Sequence, residues 1–450
     1  MSLISKSGAK PKYYVPAGDV LGTLRNYMLV DGFDFVLDLE NSCDSKLIDT
    51  RNGKEFIDFF TCFASIPIGI NHPDLFNINF IDYIGKVALT KPSNSDIYTE
   101  EMATFVKTFF EIAVPKNFKH AFFVEGGALA VENALKTAFD WKVRKNLSKS
   151  KGELGSKIIH FKQAFHGRSG YTMSLTNTDP NKVLYYPKFD WPRIINPKLN
   201  FPLTGENIEK TILLEQQAIE EIKQAFRKFT DDIAAIIIEP IQGEGGDNHF
   251  RPEFLQDLRT LADENEALLI FDEVQTGGGL TGTFWAFEQM GVIPDIVAFG
   301  KKLQTCGIIV NERIDEVPNN VFHTSSRINS TWGGNLIDMV RSTKYLEIID
   351  KDNLLTNAKI QGKVLYNEMR KLQGDFPGLI SNVRHRGLFA AFDFQNIDFR
   401  QKFIAQSYKN GLFILPCGER SVRFRPALDI KADKILTGFE IIKKSIEEIH

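Results

Sequence analysis

Long apolar runs are missing from this sequence of 450 residues. No stretch approaches the roughly 18 consecutive apolar residues that cross a bilayer, so no membrane span is expected. The start MSLISKSGAK lacks the apolar core of a secretory signal, and nothing marks export. Cysteine is scarce. Cys43, Cys62, Cys306 and Cys417 lie far apart without CxxC spacing, which reads as reduced cytoplasmic thiols rather than a disulfide frame and offers no zinc spacing. An excess of one charge is also lacking: 54 Lys and Arg against 57 Asp and Glu give a formal net charge of −3. No basic run is dense enough for a nucleic-acid stripe or a membrane patch. Internal repeats and low-complexity blocks are absent.

What remains is an ordinary globular composition, 43% hydrophobic and 25% charged, in a chain long enough for two or three packed subdomains. Residues 1–70 mix short strand-like pieces, such as Phe35 to Leu39, with a Gly/Pro-punctuated stretch. Residues 71–335 alternate short apolar runs with amphipathic helical segments, and residues 336–450 change pattern again. There a helical stretch (about 336–372) leads to RHRGLFAAFDF, VRFRPAL and a closing helix from Ala432 to Ile449. The apolar runs AFFV (121–124), KIIHF (157–161), IAAIII (233–238), ALLIF (267–271) and DIVAF (295–299) lack the alternation of half-exposed strands. They are expected to be buried on both faces, in an α/β fold with a mainly parallel sheet.

Ligands of such sheets sit beyond the carboxyl ends of the strands, so the residues that follow each run carry the information. AFFV is followed by Gly126-Gly127-Ala128 opening a helix, where free N–H groups and the helix dipole favour an anion. KIIHF is followed by Phe165, His166 and Arg168, an aromatic that could stack on a planar ring and a guanidinium that could grip a carboxylate. IAAIII delivers Glu239 and the turn QGEGG with Glu244. ALLIF delivers Asp272 and Gln275. A buried carboxylate needs a cationic partner, and a protonated pyridine nitrogen suits Asp272. DIVAF ends at Lys301 and Lys302, where desolvation would turn an amine into a nucleophile. Each feature alone has a bland reading as a turn glycine, a core aromatic, a helix cap or a solvated lysine pair. Their convergence on one sheet edge points to pyridoxal 5′-phosphate (PLP).

The strings GGALAVENALK, FHGRSGYT, EPIQGEGG, FDEVQTG, DIVAFGK, NSTWGGN and VRFRP resemble the class III aminotransferases, in order and over nearly the whole chain. Longer strings such as AFHGRSGYTMSLTNT, PKFDWPRI and RINSTWGGN are similar to the L-lysine 6-aminotransferase branch of that class. The resemblance implies fold type I, with a seven-stranded sheet in a large domain (71–335) and a smaller α+β domain from both termini (1–70 and 336–450). It implies that Lys301, directly after the strand and glycine, rather than Lys302, carries PLP covalently and shuttles protons. Asp272 would face the ring nitrogen, Gln275 the ring hydroxyl and Phe165 the ring face, with His166 and Glu239 in the same cofactor site. Gly127 and Ala128 would bind phosphate together with Thr331 of a partner subunit in a homodimer. Two departures stand out: LQTCG follows the two lysines in place of a Gly-rich run, and Leu280 stands where many members have Arg.

The activity so implied is transfer of the 6-amino group of L-lysine to 2-oxoglutarate, giving 2-aminoadipate 6-semialdehyde and L-glutamate. Arg423 would bind the acceptor's 1-carboxylate and pair with Glu244 when the terminal amine is bound. Arg168 and Asn329 would take the distal carboxylate. Ornithine or 4-aminobutyrate transamination is the nearest alternative. A racemase or decarboxylase on the same fold, or a non-catalytic PLP-binding protein, lies further away.

Overall fold

The computed structural model describes residues 10–450. Its centre is a seven-stranded sheet in the order Phe118–Val124, Cys306–Asn311, Ile296–Phe299, Leu268–Asp272, Ile233–Ile238, Lys157–Phe161, Arg193–Ile194. All neighbours run parallel except Cys306–Asn311, which is antiparallel to both of its partners. Successive side chains of a strand point to opposite faces, and the central strand Ile233–Ile238 serves both. Ala235 and Ile237 join Leu268, Ile270 and Ala298 in a core under the helix Gly127–Ser148. Ile236 and Ile238 join Leu269, Phe271 and Val297 in a second core with Ala218, Ile222, Phe254 and Leu258, from the helices Gly205–Lys228 and Pro252–Glu264. Two covered faces explain why these runs are continuously apolar. The five runs singled out in the sequence all form strands of this sheet, with Asp272 itself closing one of them.

Three smaller sheets accompany this core, one of them the two-stranded hairpin of Ile241–Gln242 and Asn248–His249 that carries Glu244 in its turn. Lys46–Ile48 and Glu55–Asp58 pair antiparallel, and Leu412–Phe413 adds to them in parallel, so residues from the two ends of the chain share one sheet. Ile380–Arg386, Phe389–Phe394, Ser421–Phe424 and Leu415–Cys417 form an antiparallel four-stranded sheet.

Local differences from the sequence reading have physical causes. Phe35 to Leu39 is not a strand; it makes a single bridge, Leu37 to Asp49. Phe33 and Phe35 instead pack edge-on against Phe413, with ring centroids 4.7 and 5.0 Å away, and aromatic packing replaces ladder bonds as the local glue. The helical pattern after residue 335 is two helices, Leu336–Lys351 and Leu354–Asp375, broken where Asn353 takes φ 52°. Among the described residues no helix is long and apolar enough to cross a membrane.

Candidate active site

A cavity of about 560 Å³ opens at the carboxyl ends of the central strands. Lys301 lies in its lining, one residue beyond Gly300 and the strand Ile296–Phe299, with φ +51°. A left-handed conformation at a lysine is uncommon and marks a position that its surroundings over-determine. Burial, followed by the charges of Arg423 and Arg425, lowers the proton affinity of this amine to about pKa 8. The next residue points elsewhere. Lys302 is buried behind the cavity wall, donates to the carbonyl of Ile66 at 3.1 Å, and titrates near 7 because it is desolvated beside Arg425. Two adjacent lysines thus have separate surroundings, and only the first lines the cavity.

The strand Leu268–Asp272 brings Asp272 to the same edge, 5% exposed. Its Oδ2 pairs with His166 Nδ1 at 2.8 Å, and its Oδ1 accepts the Val274 N–H at 3.0 Å. Burial works against a charge on His166, yet the bond and charge of Asp272 outweigh it and raise its proton affinity. His166 Nε2 is buried without a partner. Glu239, at the exit of Ile233–Ile238, accepts the N–H groups of Phe165 (2.9 Å) and Gly243 (3.0 Å), tying the two flanking loops together. Its burial pushes its carboxyl up to about 7.

Gly127 and Ala128 line the cavity at the first turn of Gly127–Ser148, where main-chain N–H groups have no helical partner. A Cβ on Gly127 would come within 2.8 Å of Val274, so only glycine allows that approach. Phe165 lines the wall as well, and Gln275 lies opposite a second close approach, since a Cβ on Gly243 would meet Gln275 Oε1 at 1.9 Å. Gln275 is fixed from behind. Its Oε1 accepts from Arg425 Nη2 at 2.9 Å and from Arg423 Nη1 at 3.5 Å. Arg425 is itself held by both oxygens of Asp247 and lies 3.5 Å from the Phe389 ring centroid. The amide hydrogens of Gln275 are therefore its free end.

Arg423, on Ser421–Phe424 of the small four-stranded sheet, donates to Glu244 Oε2 at 2.8 Å. The other oxygen of Glu244 accepts from Lys182 Nζ at 2.6 Å. Burial would raise the Glu244 carboxyl, but the charge of Arg423 and then Lys182 reverses this and holds it near 2. Arg423 also lies 6.0 Å from the ring of Phe63, which belongs to an unusual turn. Thr61, Cys62, Phe63 and Ala64 all have positive φ, between 40° and 66°. Each such residue carries roughly 1–2 kcal/mol of strain. The turn is fastened by Asp58 Oδ1, which accepts the N–H groups of Phe60 and Thr61, and by Thr61 Oγ1 donating to the Arg425 carbonyl. It presents Ser65 to the cavity.

Of the remaining sequence candidates, Arg168 lines the cavity and faces solvent. Asn329 and Thr331 are exposed and stand outside this chain's own cavity; the Thr331 carbonyl accepts from Ser93 Oγ. Sequence reasoning missed Ser65, Gln304, Cys306 and Asp338 around the cavity, Lys182 behind Glu244, and Asp247 behind Arg425. Asp247 directly follows the QGEGG turn and Arg425 lies inside VRFRP, so proximity to a motif was the available signal for that pair. Lys182 had none.

A desolvated amine, a buried carboxylate, a helix start with Gly127 and Ala128, and Glu244 paired with Arg423 define a site for cofactor-assisted amine chemistry. Comparison with known proteins identifies the family. The model of aminotransferase class III matches residues 33–446, and the chain belongs to that family, with the fold of type I PLP-dependent transferases. It is 47% identical over 442 residues to the L-lysine-epsilon aminotransferase of Amycolatopsis lactamdurans, covering 97% of this chain and 98% of that one. The solved lysine aminotransferase from M. tuberculosis, in its internal aldimine form, superposes with a TM-score of 0.95 at 46% identity, covering 97% of this chain and all of the other. The mitochondrial 4-aminobutyrate aminotransferase of Sus scrofa is more distant, at 33% identity over 414 residues, covering 88% of this chain and 81% of that one.

Proposed function

We propose that this chain is a PLP-dependent L-lysine 6-aminotransferase that passes the 6-amino group of L-lysine to 2-oxoglutarate, yielding 2-aminoadipate 6-semialdehyde and L-glutamate. The observation that carries this reading is Glu244 on the cavity wall, bonded to the buried Arg423 beside it. The near-full-length likeness to lysine-epsilon aminotransferases supports the same donor.

The residues present fit PLP. The cavity has the required size, Asp272 is a buried carboxylate at a strand end, and Gly127 and Ala128 offer unpartnered N–H groups. Bound there, PLP supplies an aldehyde that carries the amino group and a ring that takes up electron density. Lys301 would hold it, and the lowered proton affinity of its amine lets Nζ accept and return a proton near neutral pH. Asp272 would stabilise a protonated ring nitrogen, with His166 fixing the carboxylate from the other side. Gln275 would donate to the ring oxygen, Phe165 would cover a ring face, and Glu239 holds the Phe165 loop in place.

Specificity follows from charge. A lysine side chain presents its reacting carbon without a neighbouring carboxylate, whereas 2-oxoglutarate has one there. Glu244 masks Arg423 for the first substrate and withdraws for the second, and binding energy thereby serves two molecules in turn. Arg168 would take the far carboxylate by bidentate geometry, and Asn329, outside this chain's own cavity, would join it from the partner subunit. Thr331 of the partner subunit would complete the phosphate site in a homodimer. The exposed side chains of Ile97, Tyr98 and Trp332, close to Thr331 in sequence or through the bond from Ser93, support such an interface. The chain divides on this reading into a large domain (71–335) and a small one from residues 1–70 and 336–450. Four unpaired cysteines are in keeping with a cytoplasmic setting.

The test is the donor profile of purified protein with added PLP and fixed 2-oxoglutarate. Lysine should lead ornithine and 4-aminobutyrate; a preference for 4-aminobutyrate overturns the donor. Glu244→Ala should slow the lysine half-reaction relative to the glutamate one, and unchanged relative rates refute the switch.

A further inference from the structure

Glu244 has two cationic partners, and they differ in kind. Arg423 is locked in a sheet with its side chain 3% exposed, whereas the Lys182 side chain keeps 26% of its surface. Lys182 closes the short turn Pro180–Lys182, which Asp179 caps by accepting the Asn181 N–H at 2.9 Å. Its ammonium lies 2.6 Å from Glu244 Oε1 and 5.3 Å from the centroid of the Phe165 ring. Two attractions, an ion pair and a cation–π contact, thus hold one flexible side chain beside the switch.

The exchange proposed above requires Glu244 to withdraw from Arg423 when an acid binds. A half-buried carboxylate stripped of every cation is costly, and Glu244 would then retain Arg423 against the incoming substrate. The second oxygen already has another partner. We infer that Lys182 is the positioning residue of this switch: it keeps Glu244 charged and paired while Arg423 is released to a substrate carboxylate. The inference rests on the reading of Glu244 and Arg423 as a switch. Lys182 reaches neither the reacting amine nor the acceptor; it acts through Glu244 on how readily Arg423 becomes available. Its loss should therefore penalise the acid half-reaction and spare the amine one.

Lys182→Met and Lys182→Arg holoenzymes test this in separate half-reactions with lysine and with 2-oxoglutarate. Calorimetric binding of glutarate, a five-carbon dicarboxylate that cannot react, is the second readout. In Lys182→Met, kcat/KM for 2-oxoglutarate should fall about tenfold, mainly through KM, and the glutarate Kd should rise about tenfold, as fits a partly buried charge pair. The lysine half-reaction should change less than about twofold, and Lys182→Arg should recover most of the loss. Equal losses in both half-reactions, or unchanged glutarate affinity, overturn the role of Lys182. Glu244→Ala run alongside separates the two failures. If it shifts the balance between substrates while Lys182→Met does not, the switch stands and only Lys182 falls; if Glu244→Ala shifts nothing, both fall.

Discussion

Lys301, Asp272 and Glu239 follow or end three strands of one buried sheet, whereas Arg423, Glu244 and Lys182 come from a second sheet, a glycine-rich turn and a surface loop. The first group is held by packing. Its strands are covered on both faces, so their ends cannot shift without disturbing two cores. The second group is held by charge across segments far apart in sequence, and ion pairs exchange partners more easily than packed strands move. On the proposed reading, one side of the cavity would hold the cofactor still and the other would accept two substrates of different charge in turn.

Substitutions on the two sides should fail differently. The largest effect is expected for Lys301→Ala, which should lower lysine turnover by at least about 10⁴-fold, as loss of a covalent nucleophile does. Borohydride reduction and peptide mapping should label Lys301 in the parent protein, and full activity in the variant would move the attachment to Lys302. On the side held by charge, Arg423→Lys keeps the charge but not the fork that grips a carboxylate. It should raise KM for 2-oxoglutarate by roughly 10- to 100-fold while changing the lysine half-reaction much less; equal losses would erase the distinction between the two sides.

The smallest effect concerns Lys302, which resembles its neighbour in sequence but is structural. Burial lowers its folded value to about 7 from 10.5. In that window the unfolded chain binds more protons, so this group makes stability rise with pH between about 7 and 10.5. Buried Asp58, raised to about 6 from 3.8 by desolvation, acts the opposite way: stability falls as pH climbs from about 4 to 6. Denaturant titrations at pH 7.5 and 9.5 should show a smaller rise for Lys302→Met than for the parent, by on the order of 2–3 kcal/mol. An equal rise would show that Lys302 does not titrate there.

The same division explains what could be read before the structure. The large sheet was legible because strands covered on both faces must be continuously apolar, and the residues just after them had to face a ligand. The strand Cys306–Asn311 escaped notice because it turns back antiparallel directly after the lysine turn, where no helix separates it from its neighbour. Phe35 to Leu39 misled because its apolar residues serve an aromatic cluster rather than a ladder. Arg423 and Glu244 were found through motifs, but their bond depends on two sheets meeting, which no local pattern encodes. Lys182, in the stretch DPNKVLYY, is marked only by its contacts with Glu244 and the Phe165 ring.

The anchoring of Gln275 has its own consequence. A glutamine is ambivalent, able to offer either an oxygen or hydrogens, and in open water it would do both. Here Arg425, clamped by Asp247 and stacked on Phe389, claims the oxygen, so the side chain can speak to the cavity only as a donor. A glutamate of the same shape would reverse that polarity without moving an atom of the backbone, and on the proposed reading it would repel the ring oxygen that Gln275 is placed to meet.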